Sequence, residues 1–156
     1  MMNRLPAWVS RLLFNFWPCY WGTGGRITRI SQDWREIDVE IPLRLRTRNY
    51  VGTIFGGSMY GAVDPIYMLM LIRALGPDYV VWDKAATIRF KKPGRGTLRT
   101  TCRVTEEELD AIRGALADKE SVERTYVIEL ASGDGTVHAV VEKLIYVAKR
   151  REKLSA

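Results

Sequence analysis

The chain has 156 residues, 47% of them hydrophobic, which suits one domain with a sizeable core. Its 24 Lys and Arg against 18 Asp and Glu give a net charge of +6, which favours anionic partners such as phosphates or lipid head groups and is by itself too weak to support a nucleic-acid role. Two cysteines, Cys19 and Cys102, have no metal-ligand spacing and are too few for a disulfide framework, so a cytoplasmic setting with two buried thiols and no metal is expected.

The first predicted element is an amphipathic helix within residues 1–25. Leu5, Trp8, Val9, Leu12, Leu13 and Phe16 recur at helical spacing, with Arg4 and Arg11 on the other side. Pro18 and a turn at 22–25 end it. The run is too short for a membrane span, and no A-x-A-like cleavage site follows it. A helix packed on the domain or on a partner subunit is the favoured reading. A lid over an acyl chain and a peripheral membrane contact through residues 1–21 are the alternatives.

Residues 26–32 and 36–42 read as a strand hairpin turning around Asp33, with Ile37, Val39 and Ile41 in alternation. Residues 43–48, LRLRTR, form a basic rim. They lead into Asn49, Gly52, Gly56 and Gly57, a density of permissive residues that suits a turn delivering backbone N–H groups to a helix start. A long apolar core helix then runs from Gly57 or Ser58 to about Leu75, with Pro65 predicting a kink near Gly61. Asp64 stands alone in this run, where a carboxylate is costly unless it finds donors or shifts its pKa.

Further strands are expected at 79–92, 97–106, 121–131 and 136–149, the last two joined through Gly133, Asp134 and Gly135. Thr105 and Glu108 have capping-box spacing and open a short helix with Leu109, Ile112 and Leu116 in one stripe. Asp83 and Lys84 interrupt an apolar strand, where they pair with neighbours or border a cleft. His138 sits on an apolar strand and reads as structural. Arg89, Lys91, Lys92 and Arg95 cluster around a PGRG turn, as either a phosphate clamp or a solvated basic turn. No Walker loop, G-x-S-x-G elbow, zinc spacing or nucleotide fingerprint occurs. The chain divides into an N-terminal helix and turn at 1–25, a core at 26–150 and a basic tail at 151–156.

Residues 49–71 resemble the signature of the hotdog-fold acyl-CoA thioesterase superfamily, in its phenylacetyl-CoA thioesterase-like part and a branch of unknown function. The usual pattern is Asn-x-x-Gly-x-x-His-Gly-Gly with an acidic residue seven positions on. Asn49, Gly52, Gly56, Gly57 and Asp64 match it, and Phe55 replaces the histidine. The resemblance implies an α+β hotdog fold, an antiparallel sheet wrapped around a long helix, in a homodimer or dimer of dimers. It implies hydrolysis of an acyl-CoA or acyl-carrier thioester, with coenzyme A entering only as part of the substrate.

On that basis the N–H groups near Gly57 would polarise the thioester oxygen. Asp64 would act as general base or nucleophile, and Asn49 would orient the loop or the water. Gly56, Phe55, Arg89, Lys91, Lys92 and Arg95 would contact substrate. Gly57 and Asp64 of one helix stand roughly 10 Å apart at 1.5 Å per residue, too far to meet at one carbonyl, so the spacing rules against a site within one chain. A non-catalytic module binding an acyl thioester or lipid is the competing reading, because Phe55 offers no hydrogen bond.

Overall fold

A computed structural model describes residues 5–150, so Arg4 and the tail at 151–156 lie outside the described residues. The chain opens with α1 (Ala7–Phe16) and α2 (Pro18–Thr23). Helix α1 does end just before Pro18, but the chain does not run directly into the turn expected at 22–25. Proline is pre-set for the first position of a helix, so Pro18 starts a second short one, and the turn waits for Gly24 at φ 75°. Strands β1 (Arg26–Ile30) and β2 (Glu36–Ile41) form the expected antiparallel hairpin. In its turn the Asp33 carboxylate accepts from the Ser31 hydroxyl at 2.6 Å and from the Arg35 amide at 3.2 Å.

The central helix is two helices, α3 (Gly56–Val63) and α4 (Ile66–Leu75), broken at Asp64 and Pro65. Proline has no N–H to continue the ladder, so the helix does break as expected, at the proline itself rather than near Gly61. Strands β3 (Tyr79–Phe90) and β4 (Leu98–Arg103) follow, then helix α5 (Glu106–Asp118), then β5 (Ser121–Ala131) and β6 (Val137–Lys149). The six strands form one sheet in the order β1-β2-β4-β5-β6-β3, and every strand pairing among the described residues is antiparallel. Among the described residues strand β3 is therefore an edge, bonded only to β6.

Alternation along the strands explains how the sheet wraps the broken helix. Ile37, Val39 and Ile41 of β2, Leu98 and Cys102 of β4, and Ala139, Val141, Ile145 and Val147 of β6 are all buried. They meet Met59, Ala62, Val63, Ile66, Met70 and Leu71 from α3 and α4 in one core. Helix α5 adds Leu109, Ile112 and Leu116 to it, and its Thr105 cap accepts from the Glu108 amide at 3.3 Å. The Glu108 carboxylate does not return to complete a capping box. It turns to the sheet, where Arg124 and the Tyr126 hydroxyl donate to it.

Helix α1 packs on the domain, as expected, but not by its apolar stripe. Its packed side is the more polar one: Ser10 is buried, Arg11 donates to the Thr28 carbonyl at 3.0 Å, and the Asn15 amide group bonds both the N–H and the C=O of Ile27. Trp8, Leu12, Leu13 and Phe16 of the apolar stripe face outward. Cys19, expected to be buried, is exposed, whereas Cys102 is buried and its thiol is pushed up to about 12, chiefly by that burial.

Candidate active site

Asp64 is placed by the defect in the central helix. The break after Val63 leaves its side chain at the edge of the core rather than sealed within it, 42% exposed. Two donors meet the carboxylate: the Tyr60 hydroxyl at 2.6 Å, one turn earlier, and the Lys143 ammonium at 2.6 Å. Lys143 also donates to the Asp64 backbone carbonyl at 2.9 Å, so one cation holds both the side chain and the interrupted backbone of this residue.

The Lys143 side chain is wholly buried, at 0% exposure. It occupies the inward series of β6 between Val141 and Ile145, where a hydrocarbon side chain would be usual. Asp83 on the neighbouring edge strand approaches it at 3.0 Å, so two carboxylates share one ammonium. Burial works to push the Lys143 ammonium down, but the hydrogen bonds to Asp64 and Asp83 outweigh it and its pKa lies above the ordinary lysine value. Burial raises the Asp83 carboxyl above its usual range against the pull of Lys143, and its Oδ1 is buried with no hydrogen-bond partner among the described residues. Sequence reading missed Lys143 altogether. The signal was present: in the alternation Ala139, Val141, Lys143, Ile145, Val147 it falls on the core face.

Beside Asp64 lies a groove of about 400 Å³ between the N-terminal helices and the break, a size within the usual range for ligand pockets. Phe14, Trp17, Tyr20, Pro65 and Leu69 make it mostly apolar, with Cys19, Thr23 and Gly61 completing the wall. Tyr20 fixes α2 over this region by donating its hydroxyl to the Ala62 carbonyl at 3.0 Å. Gly25 contributes too, since a Cβ there would come within 2.4 Å of the Ala62 Cβ.

The other half of the motif sits at the start of α3. Asn49 organises the loop: its Oδ1 accepts from the Thr53 amide at 3.0 Å and the Val51 amide at 3.2 Å, and its Nδ2 donates to Thr53 Oγ1 at 2.9 Å. Ser58 and Met59 donate to the Phe55 carbonyl, while the Gly56 and Gly57 amides have no acceptor among the described residues. Both glycines lie under aromatic rings. A Cβ on Gly57 would stand 2.3 Å from the Phe55 ring, and one on Gly56 would stand 2.7 Å from the Phe90 ring. Lys91 and Lys92 line a second groove here with Asn49, Gly56 and Phe90. Arg89 and Arg95 are not part of that lining. Arg89 pairs with Val140 while Phe90 pairs with the inward Ala139, so Arg89 projects from the opposite face of the sheet. His138 is held between the Pro93 carbonyl and the Ser132 hydroxyl, each at 3.0 Å.

The sequence matches the family described as Domain of unknown function (DUF4442) over residues 6–147. The chain belongs to that family. No curated protein matches this DUF4442 chain. Among solved structures, it is similar to a Pseudomonas aeruginosa protein of unknown function, named as a probable thioesterase, with a TM-score of 0.81 and 17% identity over 94% of this chain and 97% of that one. A thioesterase from Haemophilus influenzae superposes with a TM-score of 0.68 and 13% identity, covering 97% of this chain and 96% of its own. A Chlorobaculum tepidum protein of unknown function gives 0.70 and 15%, covering 89% and 91%. At such identities these likenesses establish the fold, and the fold is the hotdog fold.

Proposed function

We propose that this DUF4442 protein is a thioesterase that hydrolyses an acyl thioester of the acyl-CoA class, with the site completed by a second copy of the chain. The observation that carries this reading is Asp64: a solvent-reached carboxylate, oriented by Lys143 and Tyr60, at the side of an apolar groove of ligand size.

In the proposed reaction the thioester oxygen lies against the Gly56 and Gly57 amides at the positive end of α3. Asp64 of the other chain takes a proton from water as the water attacks the carbonyl carbon, or attacks that carbon itself and forms an anhydride that water then opens. The carbon–sulfur bond breaks, and the sulfur leaves as thiolate and takes up a proton. Lys143 is a positioning residue, since it reaches Asp64 and not the reacting atoms. Asn49 shapes the loop that leads to the amides, and Lys91 and Lys92 are the cations on hand for the coenzyme phosphates.

One observation favours a second reading, a hotdog module that binds an acyl thioester without cleaving it. Phe55 lays an apolar ring over Gly57, where a thioester oxygen would have to approach the amide. Release of free thiol from a panel of acyl-CoA lengths separates the two. Turnover by the wild type that falls by about 10²-fold or more in Asp64→Asn supports hydrolysis. A folded wild type that binds acyl-CoA and releases no thiol at any length supports the binding module.

A further inference from the structure

The outward stripe of α1 and the basic rim at 43–48 form one surface, and we infer that this surface docks the protein on an anionic lipid bilayer. No helix among the described residues is long and apolar enough to cross a membrane, so the contact is interfacial. Helix α1 is bolted down by its polar side through Arg11 and Asn15, which fixes the apolar side toward solvent. Trp8, Leu12 and Phe16 lie one turn apart on that side, and Phe16 is 74% exposed. Trp17, between the two helices, and Trp21 on α2 continue the surface. Tryptophan is the side chain that best suits the boundary between head groups and acyl chains.

The charge arrives on the same rim. Phe16, Trp21, Arg44, Leu45 and Arg46 line one depression, with Leu45 93% exposed. The Arg46 guanidinium lies 3.8 Å from the centre of the Trp21 ring. Arg26, Arg29, Arg99 and Arg103, on the outer face of the hairpin and β4, each pair with Glu36, Asp38 or Glu40. Arg44 and Arg46 have no ion-pair partner among the described residues. Unpaired cations beside an outward aromatic ridge match acidic head groups over hydrocarbon. A second copy on a two-fold axis fits less well, because the same patch would meet itself and bring its arginines together.

The test uses the full chain with phosphatidylcholine vesicles carrying phosphatidylglycerol, beside vesicles of phosphatidylcholine alone, in low and high salt. Co-sedimentation is expected with the anionic vesicles, weakened by salt and several-fold weaker on the neutral ones. Brominated acyl chains are expected to quench part of the tryptophan emission. Leu12→Ser/Phe16→Ser and Arg44→Glu/Arg46→Glu should each lower the bound fraction by about tenfold or more, with melting curves showing that both variants remain folded. A wild-type chain that stays in the supernatant with both vesicle types overturns the inference. So does binding that neither double variant weakens, or a self-associated species that Leu12→Ser/Phe16→Ser dissolves, which would give the face to a second copy.

Discussion

Lys143 is an ammonium with no water contact, placed where β6 otherwise presents hydrocarbon to the core. It is kept there by Asp64 and Asp83, whose combined charge more than offsets the loss of hydration. Removing it leaves two carboxylates facing each other across the space it filled. Lys143→Met is therefore expected to lower unfolding stability by about 3–5 kcal/mol at neutral pH in urea titrations. The variant should recover stability as the solution is made acidic, because protonation then relieves the repulsion. In the wild type the sign is opposite at the alkaline end. The Lys143 pKa lies above the ordinary 10.5, so its contribution is complete below that value and is lost as pH rises through the folded-state value. An unfolding free energy for Lys143→Met equal to wild type from pH 4 to 8 would remove the triad from the account of stability.

At the scale of elements, legibility followed from how local the cause was. Pro65 breaks the central helix by chemistry carried in its own ring, so the kink could be read from one residue. The stripe of Leu109, Ile112 and Leu116 likewise announced α5 and the side it buries. Helix α1 misled because amphipathicity states which side is apolar, not where that side points. Asn15 and Arg11 decide the matter through bonds to Ile27 and Thr28, partners a dozen or more positions away. Glu108 is a similar case, since its spacing to Thr105 suggested a cap while its carboxylate serves the sheet. Burial opposes its ionisation, yet the bonds from Arg124 and Tyr126 outweigh this and lower its pKa. Its contribution is thus present above the ordinary value of 4.5 and disappears as pH falls through the lower folded-state value. Glu108→Gln should lose about 1–3 kcal/mol at pH 7 by chemical denaturation, with the gap to wild type closing in acid. A gap that persists at pH 2 would mean that packing, not charge, is what the substitution removes.

At the scale of the whole molecule, the two halves of the motif cannot meet within one chain. The amides of Gly56 and Gly57 start α3, and Asp64 follows its last turn, roughly 10 Å along the axis. Strand β3 offers the means of bringing in a second copy. It is a 12-residue edge with one side of its ladder unpaired among the described residues, a feature that proteins ordinarily cover. Ala86 and Phe90 on its inward face are exposed and Ile88 is half-buried, although they pair with the buried Lys143, Val141 and Ala139 of β6. Pairing β3 with its symmetry mate would extend the sheet across two chains and set the second copy's broken helix over that uncovered strip. Ala85→Glu/Thr87→Glu places carboxylates along this seam on residues that are exposed and take no part in the site. Wild type should sediment at twice the monomer mass and the variant at the monomer mass, with its far-UV spectrum retained. Thioester hydrolysis should fall with the dimer, because Asp64 then has no Gly57 amide from another chain within reach. A monomeric variant that still hydrolyses acyl-CoA at the wild-type rate would refute the shared site. Asp64 would then have to act on a thioester held by its own groove, under Phe14 and Trp17.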